Sequence, residues 1–369
     1  MASTTILFLF FCFFFLSLTT STTATPPHPS PHNSNNNKQK PITLLSSGGF
    51  QIGGQKTINP LNSSETLTCD HAYVEYFFPA RPRKLSFLLW HSSSTQLWQN
   101  RWDGGPGYKD LLLRRGYPVY LWDGPRVGRA NWGCESYLYE PHFGIDELNF
   151  VNWNFGEKFK IWYDDGVQFP VDDEEAWIQA TSARYAEFDV FENVKLQSEV
   201  MAKAVDQGKL GEEIVWVTSS AGGFRAQLAG TLVSKDKIKR VKGLIAYESF
   251  GYVFPDLKEV REEIGEIDEV EGFGPSFVLV ERFKKFTEGL KFIQFVWGDH
   301  RSEDHEMVQM SKKCAEWINR FGGKAEVVML REDAGLKGNT HLPFADLNNE
   351  EVLGLVEGVL RREGLDGFV

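Results

Sequence analysis

The chain has 369 residues, of which 42% are hydrophobic and 24% are charged, and its formal net charge at pH 7 is −11. This length and apolar content are sufficient for one large hydrophobic core. The negative charge disfavours partners that carry phosphates, so we expect binding neither to nucleic acid nor to an anionic membrane surface. The sequence contains no zinc-type spacing of Cys and His, no Walker A motif and no sustained heptads.

The first 24 residues have the pattern of a signal peptide. An apolar run extends from Ile6 to Leu18, and a Ser/Thr-rich stretch that ends at Ala24 follows it. The run is too short to span a bilayer comfortably, and small residues are typical of a cleavage site. We therefore predict secretion, removal of residues 1–24, and no stable membrane insertion afterwards. The alternatives are an uncleaved anchor and a plastid transit peptide, because no Lys or Arg precedes the run and no acidic residue precedes Glu65.

Two further features bear on the compartment. Asn62 begins an Asn-Ser-Ser tripeptide, which is an acceptor for N-glycosylation and agrees with secretion. Without the signal peptide, three cysteines are left in the chain, namely Cys69, Cys134 and Cys314. In an oxidising compartment they allow one disulfide and one free thiol, and the sequence alone leaves the pairing open.

Residues 25–47 predict a disordered linker, because they are rich in Pro, Ser and Asn and can bury almost no apolar surface. We expect the folded domain to comprise residues 48–369. Within it, short apolar runs alternate with segments of helical periodicity, which predicts a mostly parallel central sheet with helices on both faces. The predicted strands are 73–78, 85–90, 117–122, 214–217, 241–247, 292–297 and 325–330. The clearest predicted helices are 221–233, 310–321 and 350–362.

Two segments interrupt this alternation. Residues 131–191 are rich in aromatic side chains and have no clear period. A long insertion of this kind is usually functional, and its aromatic content is too high for disorder. We interpret it as a cap over a site, and call it the cap insertion. The alternative is that its aromatic side chains only pack the insertion onto the sheet. Residues 255–271 are strongly charged and predict a solvated helix or loop edge.

The candidate nucleophile lies where an apolar strand runs through Ser-Ser-Ala-Gly-Gly directly into a helical segment. A Ser on such a strand–turn–helix elbow is held on a tight turn with its hydroxyl exposed, and small residues on either side allow close packing. Ser220 has Thr218 and Gly222 as its flanking positions, which favours it over Ser219. The alternatives are a Ser/Gly turn that caps the helix and a phosphate-binding loop.

A candidate base and two candidate acids follow along the chain. His341 lies in a Gly-Asn-Thr-His loop after the last strand and before the final helix. The chain order Ser, acid, His is one that places a catalytic triad on an α/β sheet. Glu248 and Asp299 each end a strand after the nucleophile strand, at the carboxyl edge where sites form in such sheets. Either side chain could orient the imidazole.

An oxyanion hole requires backbone N–H donors near the nucleophile. The loop after the earlier buried strand reads His-Ser-Ser-Ser, and the amides of Ser92 and Ser93 are candidates. The amide of Ala221 is the expected partner, because it follows the nucleophile at a helix N-terminus where negative charge is favoured.

The order of these segments resembles the α/β-hydrolase superfamily, and within it a group of secreted bacterial and fungal esterase-like proteins. The resemblance covers most of the chain from about residue 48 to the end. It rests on Gly-Gly-Phe at 48–50, the aromatic strand at 73–77, Arg-Arg-Gly-Tyr-Pro-Val-Tyr at 114–120, Asp-Gly-Pro-Arg-Val-Gly-Arg at 123–129, Ser-Ala-Gly-Gly at 220–223, Glu248, and Gly-Asn-Thr-His at 338–341.

The resemblance implies the α/β-hydrolase fold and the identity of the acid. The resemblance implies that the acid is a Glu located after the strand that follows the nucleophile strand, which favours Glu248 over Asp299. The chain departs from the group's pattern at two places. It has Thr-Ser-Ser at 218–220 where the group has Gly-His-Ser, and His-Ser at 91–92 where His-Gly is typical.

We therefore expect a serine hydrolase that cleaves a small hydrophobic or aromatic carboxylic ester by two-step acyl transfer, with no cofactor and no metal. Ser220 is the expected nucleophile, His341 the base and Glu248 the acid. Two alternatives stay open. The departures from the group's pattern are compatible with a non-catalytic protein that binds a small molecule on the same fold. An amidase, a thioesterase or an acyltransferase could also use the same scaffold.

Overall fold

A central sheet organises the computed structural model, which describes residues 41–92, 94–186, 190–265 and 273–368. In these residues the strands are β1 (Leu44–Asn59), β2 (Asn62–Pro79), β3 (Ser86–Trp90), β4 (Val119–Asp123), β5 (Gly156–Lys158), β6 (Ile161–Trp162), β7 (Ile214–Ser219), β8 (Val241–Tyr247), β9 (Val253–Pro255), β10 (Ser276–Val278), β11 (Phe292–Trp297) and β12 (Ala325–Met329). Eight of them form the central sheet in the order β1-β2-β4-β3-β7-β8-β11-β12. β2 is antiparallel to both of its neighbours, and all other neighbouring strands in this sheet are parallel.

Helices connect and cover these strands. They are α1 (Tyr108–Arg114), α2 (Ile145–Asn152), α3 (Glu174–Ser182), α4 (Phe191–Asp206), α5 (Ala221–Leu232), α6 (Lys258–Ile264), α7 (Val280–Gly289), α8 (Glu306–Arg320), α9 (Leu330–Ala334) and α10 (Asn349–Arg362). Within the described residues, none of the helices combines the length and apolarity that crossing a membrane requires. The predicted signal peptide and residues 25–40 of the predicted linker lie outside the described residues.

Both faces of the central sheet are buried at its middle strands β3, β4, β7, β8 and β11, which explains their continuous apolar runs. In β3, Leu88 and Trp90 belong to one buried apolar cluster, whereas Phe87 and Leu89 belong to another. The first cluster includes side chains of α4, α5, α7 and α8, and the second includes side chains of α1 and α10. The prediction of a mostly parallel sheet with helices on both faces is therefore confirmed.

The first two strands form a long hairpin that the sequence only partly predicted. β1 begins at Leu44, so residues 44–47 pair with β2 although we assigned them to the linker. β2 extends from Asn62, eleven residues before the predicted start at Tyr73. Most side chains in these additional segments are polar and exposed, and the strands are formed by backbone pairing rather than by apolar burial. A hydrophobic pattern cannot report pairing of this kind.

Several element ends also differ from the prediction. α8 begins at Glu306 instead of Met310, because the side chain of His305 accepts a hydrogen bond from the Met307 N–H and caps the helix. β12 ends at Met329, and Leu330 is the first residue of α9. The charged segment 255–271 contains α6, which buries Val260 and Ile264. Its residues 266–271 lie outside the described residues.

A disulfide joins Cys69 in β2 to Cys134, the fourth residue of the cap insertion, and Cys314 is a free and buried cysteine. The same junction carries a buried ion pair, in which Arg126 donates to both oxygens of Asp70 at 2.7 and 2.9 Å. The sequence left the cysteine pairing open, and the fold selects it by bringing Cys69 and Cys134 to a Cα–Cα distance of 5.1 Å.

We expect Cys134→Ser to lower the free energy of unfolding by about 3–5 kcal/mol, because the disulfide closes a loop of 65 residues in the unfolded chain. The measurement is a urea unfolding curve of the purified protein under oxidising conditions. Wild-type protein with a reductant is the matched control and should unfold at the same urea concentration as the variant. Equal midpoints for oxidised wild type and variant would show that the disulfide does not stabilise the domain.

Candidate active site

Ser220 lies on a strained turn between the end of β7 and the start of α5. Its backbone has φ 52° and ψ −132°, in a region that side-chain-bearing residues rarely adopt. The Ser220 N–H donates to the Tyr247 carbonyl at 2.9 Å, and the Ser220 carbonyl accepts from the Phe250 N–H at 3.2 Å. These bonds to the chain around the end of β8 hold the turn, and the Ser220 side chain is partly exposed.

Small residues after Ser220 allow this turn to exist. A Cβ on Gly222 would lie 2.9 Å from the Trp90 carbonyl oxygen, and one on Gly223 would collide with the Ser249 side chain. The first turn of α5 therefore packs directly against the carboxyl end of β3. On the other side of Ser220, Thr218 is buried and its hydroxyl donates to the Ile245 carbonyl at 3.3 Å. The sheet thus accommodates a Thr where the esterase-like group has Gly.

The oxyanion candidates lie at this contact between β3 and α5. The N–H of Ala221, the first residue of α5, has no acceptor within the helix. Ser92 is the second residue after β3 and is partly exposed, whereas Ser93 lies outside the described residues. The buried His91 fixes the start of the loop, because its Nε2 lies 3.2 Å from Asp123 Oδ1.

The structure brings His341 and Glu248 together. Nδ1 of His341 lies 3.1 Å from Oε2 of Glu248, and both side chains are almost completely buried. Burial lowers the pKa of His341 below its usual value, and its hydrogen bond to Glu248 opposes this effect. Burial acts to raise the pKa of Glu248, but the charge of Arg301 and the hydrogen bond from His341 bring it down to about 2. The pair therefore contains an ionised carboxylate and, at neutral pH, a neutral imidazole.

Arg301 is a partner of this pair that the sequence analysis did not identify. Its Nε donates to Glu248 Oε2 at 2.6 Å, and its side chain is 10% exposed. A second nitrogen, Nη2, donates to the carbonyl of Asn152 in α2 at 2.9 Å. The only sequence signal for this residue is its position four residues after the end of β11, at the carboxyl edge of the sheet where sites form.

Asp299, the alternative acid, has other partners. Its Oδ2 accepts from the Gly338 N–H at 2.7 Å, and its Oδ1 lies 2.6 Å from Nε of Arg331. The Asp299 N–H also donates to the Asn339 carbonyl at 2.8 Å. No hydrogen bond joins the described side chains of Asp299 and His341. Asp299 thus anchors the loop that carries the histidine, whereas Glu248 contacts the imidazole itself.

A buried carboxylate, also missed in the sequence, holds the other side of that loop. Asp346 accepts from the N–H and the hydroxyl of Thr340, both at 2.7 Å, from Asn339 Nδ2 at 3.0 Å and from the indole N–H of Trp102 at 3.0 Å. Burial raises the pKa of Asp346 to about 7, although these four hydrogen bonds oppose the effect. Because Thr340 precedes His341, this network fixes the backbone on which the imidazole stands.

The cap insertion contacts the same loop. The His341 N–H donates to the Trp153 carbonyl at 2.9 Å, and the Gln168 N–H donates to the Gly338 carbonyl at 2.7 Å. The aromatic rings of the cap insertion mostly contact one another, with ring centroids 4.7 Å apart for Phe150 and Trp162 and for Phe155 and Phe169. The buried ones belong to the same apolar cluster as Leu89 of β3, so they also pack the insertion onto the sheet.

A cavity of about 440 Å³ lies beside the His91 loop. The ring of Tyr185, which lines this cavity, packs edge-on against His91 with centroids 5.4 Å apart, and its hydroxyl lies 2.8 Å from that of Thr95. Arg126 and Arg184 also line the cavity. Each is paired with a carboxylate, so the cavity is polar and aromatic rather than strongly cationic.

Comparison with known proteins places this arrangement in a known fold. A protein named probable secreted lipase phiG, from a fungal species (strain ATCC 74256), is 24% identical over 320 residues, which cover 77% of this chain and 84% of that protein. A solved structure titled as a novel bacterial esterase has a TM-score of 0.65 and 20% identity, and covers 92% of this chain and 99% of that chain. No family model matches the chain. The chain has the α/β-hydrolase fold, as the sequence predicted.

Proposed function

Because the chain has this fold, we propose that it is a secreted serine hydrolase that cleaves carboxylic esters with Ser220, His341 and Glu248. The observation that carries the proposal is the Nδ1–Oε2 distance of 3.1 Å between His341 and Glu248, at the strand end next to the strained Ser220 turn. The fungal relative is named a secreted lipase and the bacterial structure an esterase, which supports ester hydrolysis.

In the proposed reaction, Ser220 Oγ attacks the ester carbonyl carbon while its proton passes to Nε2 of His341. Nδ1 carries the other proton throughout and donates a hydrogen bond to Glu248, which fixes the tautomer and stabilises the imidazolium. His341 then protonates the leaving alcohol as the C–O bond breaks. Water attacks the acyl-enzyme with His341 as base, which releases the acid and restores Ser220. These steps require neither a metal nor a cofactor.

The proposed mechanism needs two further features: a hydrogen bond between Ser220 and His341, and an oxyanion hole. Among the described residues, no hydrogen bond joins Ser220 Oγ to His341, so we expect the Ser220 side chain to rotate towards Nε2. Catalytic hydrogen bonds often tighten only in the substrate complex. We further propose that the N–H of Ala221, together with that of Ser92 or Ser93, stabilises the oxyanion. The Ser220 side chain makes no capping hydrogen bond at the start of α5, which supports this role for the Ala221 N–H.

Features around the site support secretion of the protein and indicate the chemical class of its substrate. Asn62 is exposed at the tip of the β1–β2 hairpin, and its Nδ2 donates to the exposed carboxylate of Glu65 at 2.8 Å, so the acceptor side chain lies at the surface. The disulfide agrees with an oxidising compartment. We propose a small ester with a hydrophobic or aromatic group, because the aromatic ring of Phe250 has its centroid 5.6 Å from that of His341.

We expect kcat/KM for a small ester to fall only at acid pH, with a midpoint below about 6.5, the ordinary value of a histidine. His341 must be neutral to accept the Ser220 proton, and burial lowers its pKa, so the base stays active through neutral and mildly acidic pH. The measurement is a pH profile of kcat/KM between about pH 4 and 9. A midpoint above pH 7 would contradict this assignment of the base.

The proposed function is tested by labelling the purified mature protein with a fluorophosphonate and locating the modified peptide by mass spectrometry. We expect the label on Ser220 and its loss in His341→Ala. A panel of ester, thioester and amide substrates then separates an esterase from a thioesterase, an amidase or an acyltransferase. No label on a demonstrably folded protein would overturn the proposal and favour a non-catalytic binding protein.

A further inference from the structure

The acid of the proposed triad accepts hydrogen bonds from three donors, two of them on the same oxygen atom. Oε2 of Glu248 accepts both from Nδ1 of His341 at 3.1 Å and from Nε of Arg301 at 2.6 Å, while Oε1 accepts from the Gly298 N–H at 2.7 Å. A triad requires only one of these donors, the imidazole. The guanidinium is a second, permanently charged donor to the same oxygen atom, and it lies in a nearly buried position.

Arg301 also connects Glu248 to the cap insertion. Its Nη2 donates to the carbonyl of Asn152, the last residue of α2, at 2.9 Å. The carbonyl of the next residue, Trp153, accepts from the His341 N–H at 2.9 Å. The carboxyl end of α2 therefore contacts the acid through the Arg301 side chain and the base through its own backbone. A helix C-terminus also favours a nearby cation.

We infer that Arg301 is a positioning residue of the acid–base pair, which fixes the Glu248 carboxylate and couples it to the carboxyl end of cap helix α2. This role rests on the proposed function, because it assigns a purpose to a contact of the proposed triad. Arg fits this role better than Lys. The planar guanidinium can donate to Glu248 and to the Asn152 carbonyl at once from separate nitrogen atoms, whereas the donors of an ammonium all lie on one nitrogen atom.

The position of Arg301 has a measurable electrostatic consequence. Its charge disfavours a second positive charge on His341, so the pair binds its proton at a lower pH when Arg301 is present. The other titratable groups close to Glu248 and Arg301 are His305 at the start of α8, Tyr252 after β8 and Tyr163 in the cap insertion. Burial raises the pKa of both tyrosines and lowers the pKa of His305. All three groups are therefore neutral near pH 7, which leaves Arg301 as the dominant cation beside the pair.

The experiment compares three variants by NMR titration of the His341 ring and by the pH profile of kcat/KM. Arg301→Met removes the charge, the hydrogen bonds to Glu248 and Asn152, and a 3.3 Å contact between Nη1 and Nε2 of His305. Arg301→Lys keeps the charge but not the bridge between Glu248 and Asn152. Arg331→Met is the matched control, because Arg331 also joins the cap insertion to the sheet, through Asp165 and Asp299, without contacting the pair. The His341 resonance is assigned by its loss in His341→Ala.

We expect Arg301→Met to raise the His341 midpoint by about one pH unit, which lowers kcat/KM about tenfold well below the midpoint. Arg301→Lys should keep the wild-type midpoint but lower kcat by about tenfold, and Arg331→Met should leave the midpoint unchanged. A wild-type midpoint in Arg301→Met would overturn the inference. If that variant does not fold, wild-type kcat and KM in Arg301→Lys would overturn it equally.

The two proposals can fail separately. The NMR titration reports the effect of Arg301 on His341 without any turnover, whereas fluorophosphonate labelling of the wild type reports the nucleophile. A shifted midpoint in Arg301→Met with no labelling would support the contact and overturn the esterase. Labelling with no shift in any variant would support the esterase and overturn the role of Arg301.

Discussion

Ser220→Ala is expected to abolish fluorophosphonate labelling and to lower kcat/KM for a small ester by at least about 10⁴-fold, without unfolding the protein. In the proposed mechanism Ser220 forms the bond to the acyl group, and only oxyanion stabilisation and binding persist without it. Ala keeps the Cβ and the strained backbone of the turn, so we expect a melting temperature within a few degrees of wild type. The measurements are labelling, ester hydrolysis and thermal unfolding.

Ser219→Ala is the matched control for this variant. Ser219 is adjacent in sequence, but it is the last residue of β7 and its side chain is buried. We expect labelling and hydrolysis in Ser219→Ala to be within about threefold of wild type, because its hydroxyl is not on the elbow. If Ser219→Ala lost the label and Ser220→Ala kept it, the nucleophile would have to be reassigned.

Glu248→Gln is expected to lower kcat by about 10²- to 10⁴-fold with little change in KM. The amide cannot supply the negative charge that stabilises the His341 imidazolium, and it can present an N–H where the imidazole requires an acceptor. The substitution also leaves Arg301 nearly buried without its carboxylate, so we expect a lower melting temperature. Steady-state kinetics near pH 7 separates the two effects, provided that the folded fraction is measured in the same sample.

Asp299→Asn is the matched control for the acid, since it makes the same carboxylate-to-amide change one strand away. Its amide oxygen can still accept from the Gly338 N–H, and the ion pair that it loses involves the partly exposed Arg331. We expect kcat within about tenfold of wild type. A large loss in Asp299→Asn together with a small one in Glu248→Gln would transfer the role of the acid to Asp299.

The sequence by itself determined those elements whose burial or backbone geometry leaves a local pattern of residues. The buried strands 85–90, 214–217, 241–247 and 292–297 were predicted within a few residues of their observed bounds, because burial on both sheet faces requires continuous apolar runs. The Ser220 turn was predicted because small residues must follow a nucleophile on such an elbow. These features predicted a mostly parallel sheet that carries a nucleophile elbow, and the family resemblance added the α/β-hydrolase fold.

The candidate acid needed more than local pattern. Glu248 and Asp299 both end strands at the same edge of the sheet, and the residues alone left them as alternatives. The family resemblance favoured Glu248, and of these two described carboxylates the structure places Glu248 within hydrogen-bonding distance of the His341 ring, whereas Asp299 accepts from Gly338. The difference depends on how the loop before His341 folds back over the sheet, which is set by contacts between residues far apart in sequence.

Tertiary structure alone decided the features that rest on long-range pairing. The polar β1–β2 strands are stabilised by backbone hydrogen bonds to each other, and the cysteine pairing follows from where β2 meets the cap insertion. Arg301 and Asp346 have no distinctive sequence neighbours. Arg301 nevertheless contacts Glu248 across a separation of 53 residues, and Asp346 accepts from Trp102 across a separation of 244 residues. The partners of a buried polar side chain are set by the tertiary fold that brings them together, and no local pattern of residues records them.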